Sequence, residues 1–286
     1  MSTEGEAARG GAEQVREFEH QVAGHRGMLA VEGDEMIIKP LAAREHQFYE
    51  GAAQHPGLRA FMPVYYGALR RTDPDSGEER GYICLENLVH GFEQPCIMDV
   101  KVGRRLWDVD ATDEKRARAI QQAARKTSAA VGFAITGIKL HGRPAEDRER
   151  LRDLGVAALP AELERYFAAA GEHRAHIVEQ FVLEATELLE AVEAAEVRMY
   201  SCSLLFVYDA SRERCALALG GGGGGGDGAA ASGGLLDLRL IDFGHSHWMP
   251  PGAGRDENFI DGLRSVIEYL RGVGQGRHQG AGAARP

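Results

Sequence analysis

With 286 residues, of which 44% are hydrophobic and 27% charged, the chain is long enough to bury a sizeable core, as one large domain or two closely packed lobes. A formal net charge of -10 argues against general binding to nucleic acids or anionic membranes, although it leaves room for a local basic pocket that binds a small anion. The cysteines lack metal-ligand spacing and a secretory disulfide pattern, so a reduced, intracellular state is expected for Cys84, Cys96, Cys202 and Cys215.

A first folded block is predicted at residues 18–90, as a small antiparallel sheet with one helix. The preceding residues, 1–17, are polar and lack the apolar core of a signal peptide, so they are expected to be disordered. The elements predicted in this block are two strands flanking a turn at 32–34, the second at 36–39 and stopped by Pro40, a helix at 44–50, and strands at 62–67 and 82–88.

A second, larger block is predicted at residues 91–272. Within it the glycine-rich segment 220–234 is expected to form a flexible surface loop, and the tail 273–286 is expected to be disordered. No apolar run reaches the roughly 18 residues of a membrane helix. The predicted elements are strands at 95–103, 133–140, 199–209 and 235–243, and helices at 112–131, 161–170, 174–197 and 256–270.

The strand at 95–103 carries a carboxylate and an ammonium two residues apart in an otherwise apolar run. Strand alternation directs Asp99 and Lys101 to the same face, and charges in an apolar strand are costly unless they are paired or used. A fixed acceptor or base beside a fixed cation suits phosphoryl transfer, because catalysis of that reaction depends on positioning and charge neutralisation.

Other charged residues at strand ends give the layout of a two-lobed ATP-dependent kinase. Lys39 ends a strand and Glu45 lies on the next helix, although these two residues alone favour an ordinary surface pair. Asp242 follows an apolar strand in the sequence Asp-Phe-Gly, which is typical of a Mg²⁺-binding strand end; a capping aspartate is the alternative. Glu86 ends another strand, where hinge backbone groups would meet an adenine edge, but this signal is weak alone.

Three motifs follow one another along the chain: Pro-x-x-x-Asp-x-Lys-x-Gly at 95–103, Ser-Leu-Leu at 203–205 and Ile-Asp-Phe at 241–243. They occur in the order found in the inositol polyphosphate kinase family, and the chain resembles that family from about residue 21 to about residue 270. The resemblance is greatest to the multikinase branch. It implies an α+β, two-lobed fold of the protein-kinase/ATP-grasp type. A small antiparallel-sheet N-lobe is followed by a C-lobe that carries a helical inositol-phosphate-binding insertion at about 110–170. The matching positions are Lys39 and Pro40, then Pro95, Asp99, Lys101 and Gly103 of a Pro-x-x-x-Asp-x-Lys-x-Gly signature, Ser203 of Ser-Leu-Leu, and Asp242 of Ile-Asp-Phe.

The same resemblance implies a binding site for ATP. Lys39, braced by Glu45, would contact the nucleotide phosphates, and Glu86 and Leu88 would meet the adenine through backbone groups. Asp99 would either hydrogen-bond the ribose hydroxyls or assist the acceptor hydroxyl as a base.

For the reacting groups, the resemblance implies that Asp242 binds Mg²⁺, with Ser203 nearby, and that Lys101 lies between the transferring phosphate and the acceptor hydroxyl. His245 matches a family histidine near the substrate, with a structural turn histidine as the alternative.

The helix predicted after the signature has a basic and amide-rich face, because Arg118, Gln121, Gln122 and Arg125 fall at i, i+3, i+4 and i+7. Guanidinium groups match phosphate oxygens, and a similar helix binds inositol phosphates in the multikinase branch. Alone, this pattern favours a solvated helix face; its place just after the signature favours substrate binding. Possible further contacts are Lys139 and Arg143.

The predicted reaction is transfer of the ATP γ-phosphate, with Mg²⁺, to ring hydroxyls of soluble inositol tris- and tetrakisphosphates, toward pentakisphosphate. The alternatives are an inositol hexakisphosphate kinase, a trisphosphate 3-kinase, a kinase that also accepts phosphoinositide headgroups, and a non-catalytic scaffold. A kinase of another family is disfavoured, since no His-Arg-Asp loop and no glycine-rich phosphate loop is found in the first block. We expect a monomer in the cytoplasm or nucleus, with neither nucleic-acid binding nor membrane insertion.

Overall fold

The computed structural model describes residues 15–22, 27–31, 35–72, 77–108, 110–124, 126–220 and 234–275. Most of the three segments expected to be disordered or flexible therefore lies outside the described residues. Two parts of those segments are ordered elements: Val15–Glu17 forms a strand, and the last helix continues to Gly274. The architecture is α+β, as predicted, and is built on two antiparallel sheets.

The first sheet contains five strands, in the order β1-β2-β3-β5-β4. The predicted strand at 62–67 begins only at Tyr65 and runs on to Thr72, and the one predicted at 82–88 begins earlier and ends at Glu86. Pro63 explains part of this shift, because it has no N–H to give to a sheet. The strands are β1 Val15–Glu17, β2 Leu29–Val31, β3 Met36–Pro40, β4 Tyr65–Thr72 and β5 Glu79–Glu86.

Two helices lie between β3 and β4: α1 Ala43–Gly51, as predicted, and the short α2 Pro56–Arg59. Helix α1 packs its buried face toward the second half of the chain through Phe48, whose ring stacks on Phe243 at 4.6 Å and on Trp248 at 4.3 Å between ring centroids. Stacked aromatic rings bury a large area, so α1 is held against the residues that follow the Ile-Asp-Phe motif.

The second sheet has the order β10-β9-β6-β7, and β8 pairs separately with β11. Its register places the signature strand β6 beside the Ser-Leu-Leu strand β9: Asp99 lies opposite Leu205, and Lys101 lies opposite Ser203. The three motifs are therefore on adjacent strands. The strands are β6 Pro95–Val102, β7 Phe133–Lys139, β8 Val197–Met199, β9 Ser203–Asp209, β10 Leu236–Ile241 and β11 Ser246–Trp248.

Seven helices lie in this half among the described residues, and the long ones agree with the sequence pattern. The predicted apolar stripe of α7 is buried, and α7 packs against α9. The helix predicted at 112–131 is instead two helices, and α5 and α8 were not predicted. The helices are α3 Asp113–Ala124, α4 Thr127–Val131, α5 Arg148–Arg152, α6 Leu159–Phe167, α7 Arg174–Ala194, α8 Arg212–Gly220 and α9 Glu257–Gly274.

Two glycines fix the backbone at the end of β6 and of α4. Gly103 has a φ of 102°, and a Cβ there would lie 2.5 Å from the side chain of Asn258. Gly132 ends α4 in the left-handed conformation, with φ 83°, and a Cβ would lie 2.9 Å from the backbone of Gly262. Only glycine meets both demands, so the signature glycine has a packing role as well as a conformational one. Within the described residues, no helix is both long and apolar enough to cross a membrane.

Candidate functional site

An ion-paired lysine connects the first sheet to the Ile-Asp-Phe motif. The Nζ atom of Lys39, on β3, donates to Oε1 of Glu45 at 2.8 Å and to Oδ1 of Asp242 at 2.7 Å. Burial alone would lower the pKa of Lys39, but Asp242 and Glu45 raise it above its ordinary value. The Glu45 side chain is only 3% exposed, so this is not an ordinary surface pair. The predicted pairing is present, with Asp242 as a third member.

Asp242 occupies a strained turn directly after β10. Its φ of 68° lies in the left-handed region, which is costly for a residue other than glycine by about 1 kcal/mol or more. The turn is held by Glu45, whose Oε1 accepts from the backbone N–H of Phe243 at 3.3 Å, and by the fully buried ring of Phe243. The side chain of Asp242 is 32% exposed and lines a cavity. The left-handed backbone conformation thus places the Asp242 carboxylate in the lining of that cavity.

The cavity has a volume of about 200 Å³ and brings together Asp99, Lys101, Ser203 and Asp242. Asp99 and Lys101 line the same space, as strand alternation predicted. Oxygen atoms are the ligands that a hard divalent cation prefers, so the carboxylates and the Ser203 hydroxyl suit Mg²⁺. The chemistry of this donor set fits the predicted metal.

Asp99 is the most deeply buried of the charged groups in the cavity. Burial raises the pKa of its carboxyl above the ordinary range, and the nearby charge of Asp242 adds to this effect. Thr136, on β7, opposes it by donating its hydroxyl to Asp99 Oδ1, and Lys101 and Ser203 oppose it as well. The carboxylate is thus more basic than an exposed one, which suits either a base or an acceptor for ribose hydroxyls.

Several residues that line the cavity were not identified from the sequence. Two of the three arginines on α5, Arg148 and Arg152, lie at i and i+4, and would have been placed on one helix face had α5 been predicted. Lys126 stands in the gap between α3 and α4, which the sequence pattern joined into one helix. The missed lining residues with polar side chains are Lys126, Thr127, Thr136, Arg148 and Arg152.

The predicted substrate-binding face of α3 does not line this cavity in the part of the chain that is described. Arg118 and Gln121 are exposed, whereas the side chain of Gln122 and the whole of Arg125 lie outside the described residues. Lys139 Nζ donates to the backbone O of Glu19 at 2.6 Å. Arg143 is exposed in the turn after β7. Substrate binding by these residues stays a prediction.

The remaining predicted residues lie around the cavity. His245 is 61% exposed, with Nδ1 4.0 Å from Oδ2 of Asp108, and it does not line the cavity. The Glu86 carboxylate accepts from Val64 N at 3.0 Å, so its side chain is engaged in the fold and an adenine contact would involve its backbone alone. Leu88 is buried in the turn that follows β5.

A second group of potential metal ligands, Asp108, Asp110 and His247, lies outside the cavity. The guanidinium of Arg44, on α1, donates to both carboxylates. His247 Nε2 lies 3.0 Å from both carboxylate oxygens of Asp108. The Arg44 guanidinium is therefore already the cation between these carboxylates. The group joins α1 to the second half of the chain.

A lysine ion-paired with two carboxylates, and a carboxylate–ammonium pair on one strand, are the kinds of group that a nucleotide-dependent phosphotransferase needs for phosphates and a metal. Comparison with known protein families narrows this class to one family. The model of the family described as inositol polyphosphate kinase matches residues 82–271.

Related proteins and structures agree with this match. An inositol polyphosphate multikinase of Oryza sativa subsp. indica is 31% identical over 294 residues, which cover 91% of this chain and 94% of that protein. Inositol hexakisphosphate kinase 3 of Mus musculus is 30% identical over 68% of this chain and 51% of its own length. The crystal structure of an inositol phosphate multikinase from S. cerevisiae, in complex with ADP and Mn²⁺, has a TM-score of 0.72 and 28% identity, and the match covers 83% of this chain and 98% of that one.

The family match covers more than half of the chain, and a near-full-length relative exceeds 30% identity. The chain therefore belongs to the inositol polyphosphate kinase family. The resemblance that the sequence motifs carry is confirmed, and the structural similarity confirms the fold class.

Proposed function

We propose that this chain is an ATP-dependent inositol polyphosphate multikinase, which phosphorylates ring hydroxyls of inositol tris- and tetrakisphosphates toward pentakisphosphate. The observation that carries the proposal is the cavity in which Lys101 lies among carboxylates on one side and further cations on the other. Such a site has acidic groups for a metal and a hydroxyl, and a basic wall for an acceptor that already bears phosphates.

Each group then has a role in the transfer. Asp242, with Ser203 nearby, holds Mg²⁺, which offsets the charge of the nucleotide phosphates when it is bound. Lys39 contacts those phosphates, and Lys101 neutralises charge on the transferring group. Asp99 either orients the ribose or accepts the proton of the acceptor hydroxyl. The relative whose structure contains ADP and Mn²⁺ supports the nucleotide and the divalent metal.

The finer assignments belong to the same proposal. Residues 18–90 act as the N-lobe and 91–272 as the C-lobe, and the protein works as an intracellular monomer on soluble inositol phosphates. Phosphoinositide headgroups are the alternative acceptor. The mouse relative supports a second candidate function, an inositol hexakisphosphate kinase, although the match spans only about half of that protein.

Product analysis tests the proposal. The purified protein would be incubated with ATP, Mg²⁺ and each of a panel of inositol phosphates and phosphoinositide vesicles, and the products separated by isomer. We expect tetrakis- and pentakisphosphate from a trisphosphate. Pyrophosphate products from the hexakisphosphate alone would favour the second candidate, and no product from any acceptor would favour a scaffold.

Asp242→Asn tests the proposed role of Asp242 in catalysis. It keeps the size of the side chain and removes the charge, so kcat is expected to fall by about 100-fold or more while the fold remains intact. A variant that retains the kcat of the wild type would overturn the metal-binding role of Asp242. Circular dichroism and thermal unfolding check that the fold persists.

A further inference from the structure

The cavity has an acidic end and a basic end, with Lys101 between them. Burial and then the charge of Asp242 raise the pKa of Asp99, whereas the charge of Lys101 lowers it. The pKa of Lys126 is lowered by burial and then by the charges of Lys101 and Arg152. Lys101 is therefore close to both groups, whereas neither Asp99 nor Asp242 is among the charges of the described residues that influence the pKa of Lys126.

The cations of the basic end differ in their partners among the described residues. Within the described part of the chain, Lys101, Lys126 and Arg152 form no ion pair within 4.0 Å, although all three line the same cavity. Arg148, a fourth cation of the wall, is different, since its Nε donates to the backbone O of Val22 at 3.3 Å. Lys126 is half-buried, whereas Arg152 is exposed to solvent. Like charges that line one cavity repel one another, and an anion that binds between them removes this repulsion.

Helix α5 shows that this lack of pairing is local. Arg150, two residues from Arg152, donates to both carboxylate oxygens of Glu162, at 2.8 and 3.1 Å, and to Glu146 at 3.2 Å. Arg150 is thus compensated by protein carboxylates, whereas Arg152, which lines the cavity, forms no ion pair within 4.0 Å among the described residues. The difference points to a ligand that supplies the missing negative charge.

We propose that Lys126 and Arg152 form a second phosphate subsite, which binds a phosphate that the acceptor already carries and thereby selects polyphosphorylated acceptors. The inference rests on the proposed kinase function and deepens it. Lys101 and Asp99 act on the reacting hydroxyl at one end of the cavity, and the Lys126–Arg152 pair holds a phosphate elsewhere on the same molecule. Arginine provides a fork that matches phosphate oxygens, and lysine adds a point charge.

The test uses Lys126→Gln, Arg152→Gln and the double variant, with acceptor and ATP KM measured separately. Each single variant is expected to raise the acceptor KM by about 10-fold to 100-fold, as is typical for loss of a hydrogen bond to a charged group, and to leave the ATP KM within about twofold. Lys126→Arg, which keeps the charge, is expected to restore most of the acceptor affinity. Arg70→Gln is the matched control, because Arg70 is an exposed surface residue remote from the cavity lining.

Direct binding of inositol hexakisphosphate without nucleotide, measured by calorimetry, separates this proposal from the proposed function. Weaker binding by both variants, with wild-type thermal unfolding, supports the subsite even if the protein shows no kinase activity. Active enzyme whose acceptor KM and polyphosphate binding are unchanged in the double variant would overturn the subsite and leave the kinase function standing. An equal rise in the ATP KM would also overturn it, since the pair would then serve the nucleotide.

Discussion

Glu45 is the residue that connects Lys39, the proposed nucleotide-binding lysine, to the Asp242 turn, the proposed metal-binding turn. One carboxylate oxygen accepts both from Lys39 Nζ and from the backbone N–H of Phe243. The position of the lysine and the conformation at Asp242 thus depend on the same buried group. The sequence predicted the pairing of Lys39 with Glu45, because a strand lysine and a following helix glutamate are a kinase pattern. It did not predict the contact with Phe243, which depends on the left-handed backbone of Asp242.

Lys39→Met tests this arrangement. Loss of the Lys39 ammonium leaves the buried Glu45 carboxylate without its ion-pair partner, so we expect the free energy of unfolding to fall by about 1–3 kcal/mol. The ATP KM should rise by about 10-fold or more, with the acceptor KM nearly unchanged. Urea denaturation and steady-state kinetics measure the two effects. An ATP KM equal to that of the wild type would show that Lys39 is structural only.

At the scale of elements, the break between α3 and α4 decides which residues reach the cavity. Apolar periodicity continues through 112–131, so the sequence gives no sign that α3 ends at Ala124 and that α4 begins at Thr127. The break leaves Lys126 outside both helices, with its ammonium in the cavity wall. Helix α5 was missed because it spans only five residues in a polar stretch. Short helices carry too few apolar positions for a period to be recognised.

Arg118→Ala tests how far α3 contributes to substrate binding. Arg118 is exposed and absent from the cavity lining, so solvent screens its charge. We expect the inositol phosphate KM to rise by about twofold to fivefold, less than for Arg152→Gln, with no change in the ATP KM. Initial-rate measurements with each substrate varied in turn check this. A change in the ATP KM instead would mean that the helix faces the nucleotide.

At the scale of the whole molecule, the two halves are joined around strand β10. The backbone N–H of Leu240 donates to the O of Phe61 at 2.7 Å, and the guanidinium of Arg239 lies 3.5 Å from the Glu86 carboxylate. Buried apolar side chains form one continuous cluster from the first sheet to α9. The side-by-side placement of β6, β9 and β10 was within reach of the sequence, since three motifs of one site must meet. The contacts between the two halves could not be predicted from the sequence, because no local pattern encodes which loops meet.

This junction predicts a pH dependence of stability. Burial, and then the neighbouring charge of Asp237, raise the pKa of Glu184, on α7, from 4.5 to about 8. The folded state therefore holds this proton more tightly than the unfolded state, and stability is lost as the pH rises from about 4.5 toward 8. Glu184→Gln removes that loss, so the variant should be more stable than the wild type by roughly 3–5 kcal/mol at pH 9, and equal to it near pH 4.

Denaturant unfolding at both pH values measures the difference. Glu190→Gln, on the exposed side of the same helix, serves as the control and should follow the wild type at each pH. If Glu184→Gln were no more stable than this control at pH 9, the carboxyl would titrate normally in the folded protein.

The stacked rings beside the Asp242 turn include a tryptophan, so intrinsic fluorescence can report on the turn. The chain has only two tryptophans, and Trp248 lies in a column with His55 at 3.9 Å on one side and Phe48 on the other, while Phe48 contacts the residue after Asp242. Indole emission responds to the polarity and charge of its surroundings. Movement of the turn therefore changes the surroundings of Trp248, and we expect nucleotide binding at the turn to change the intrinsic fluorescence without any added dye.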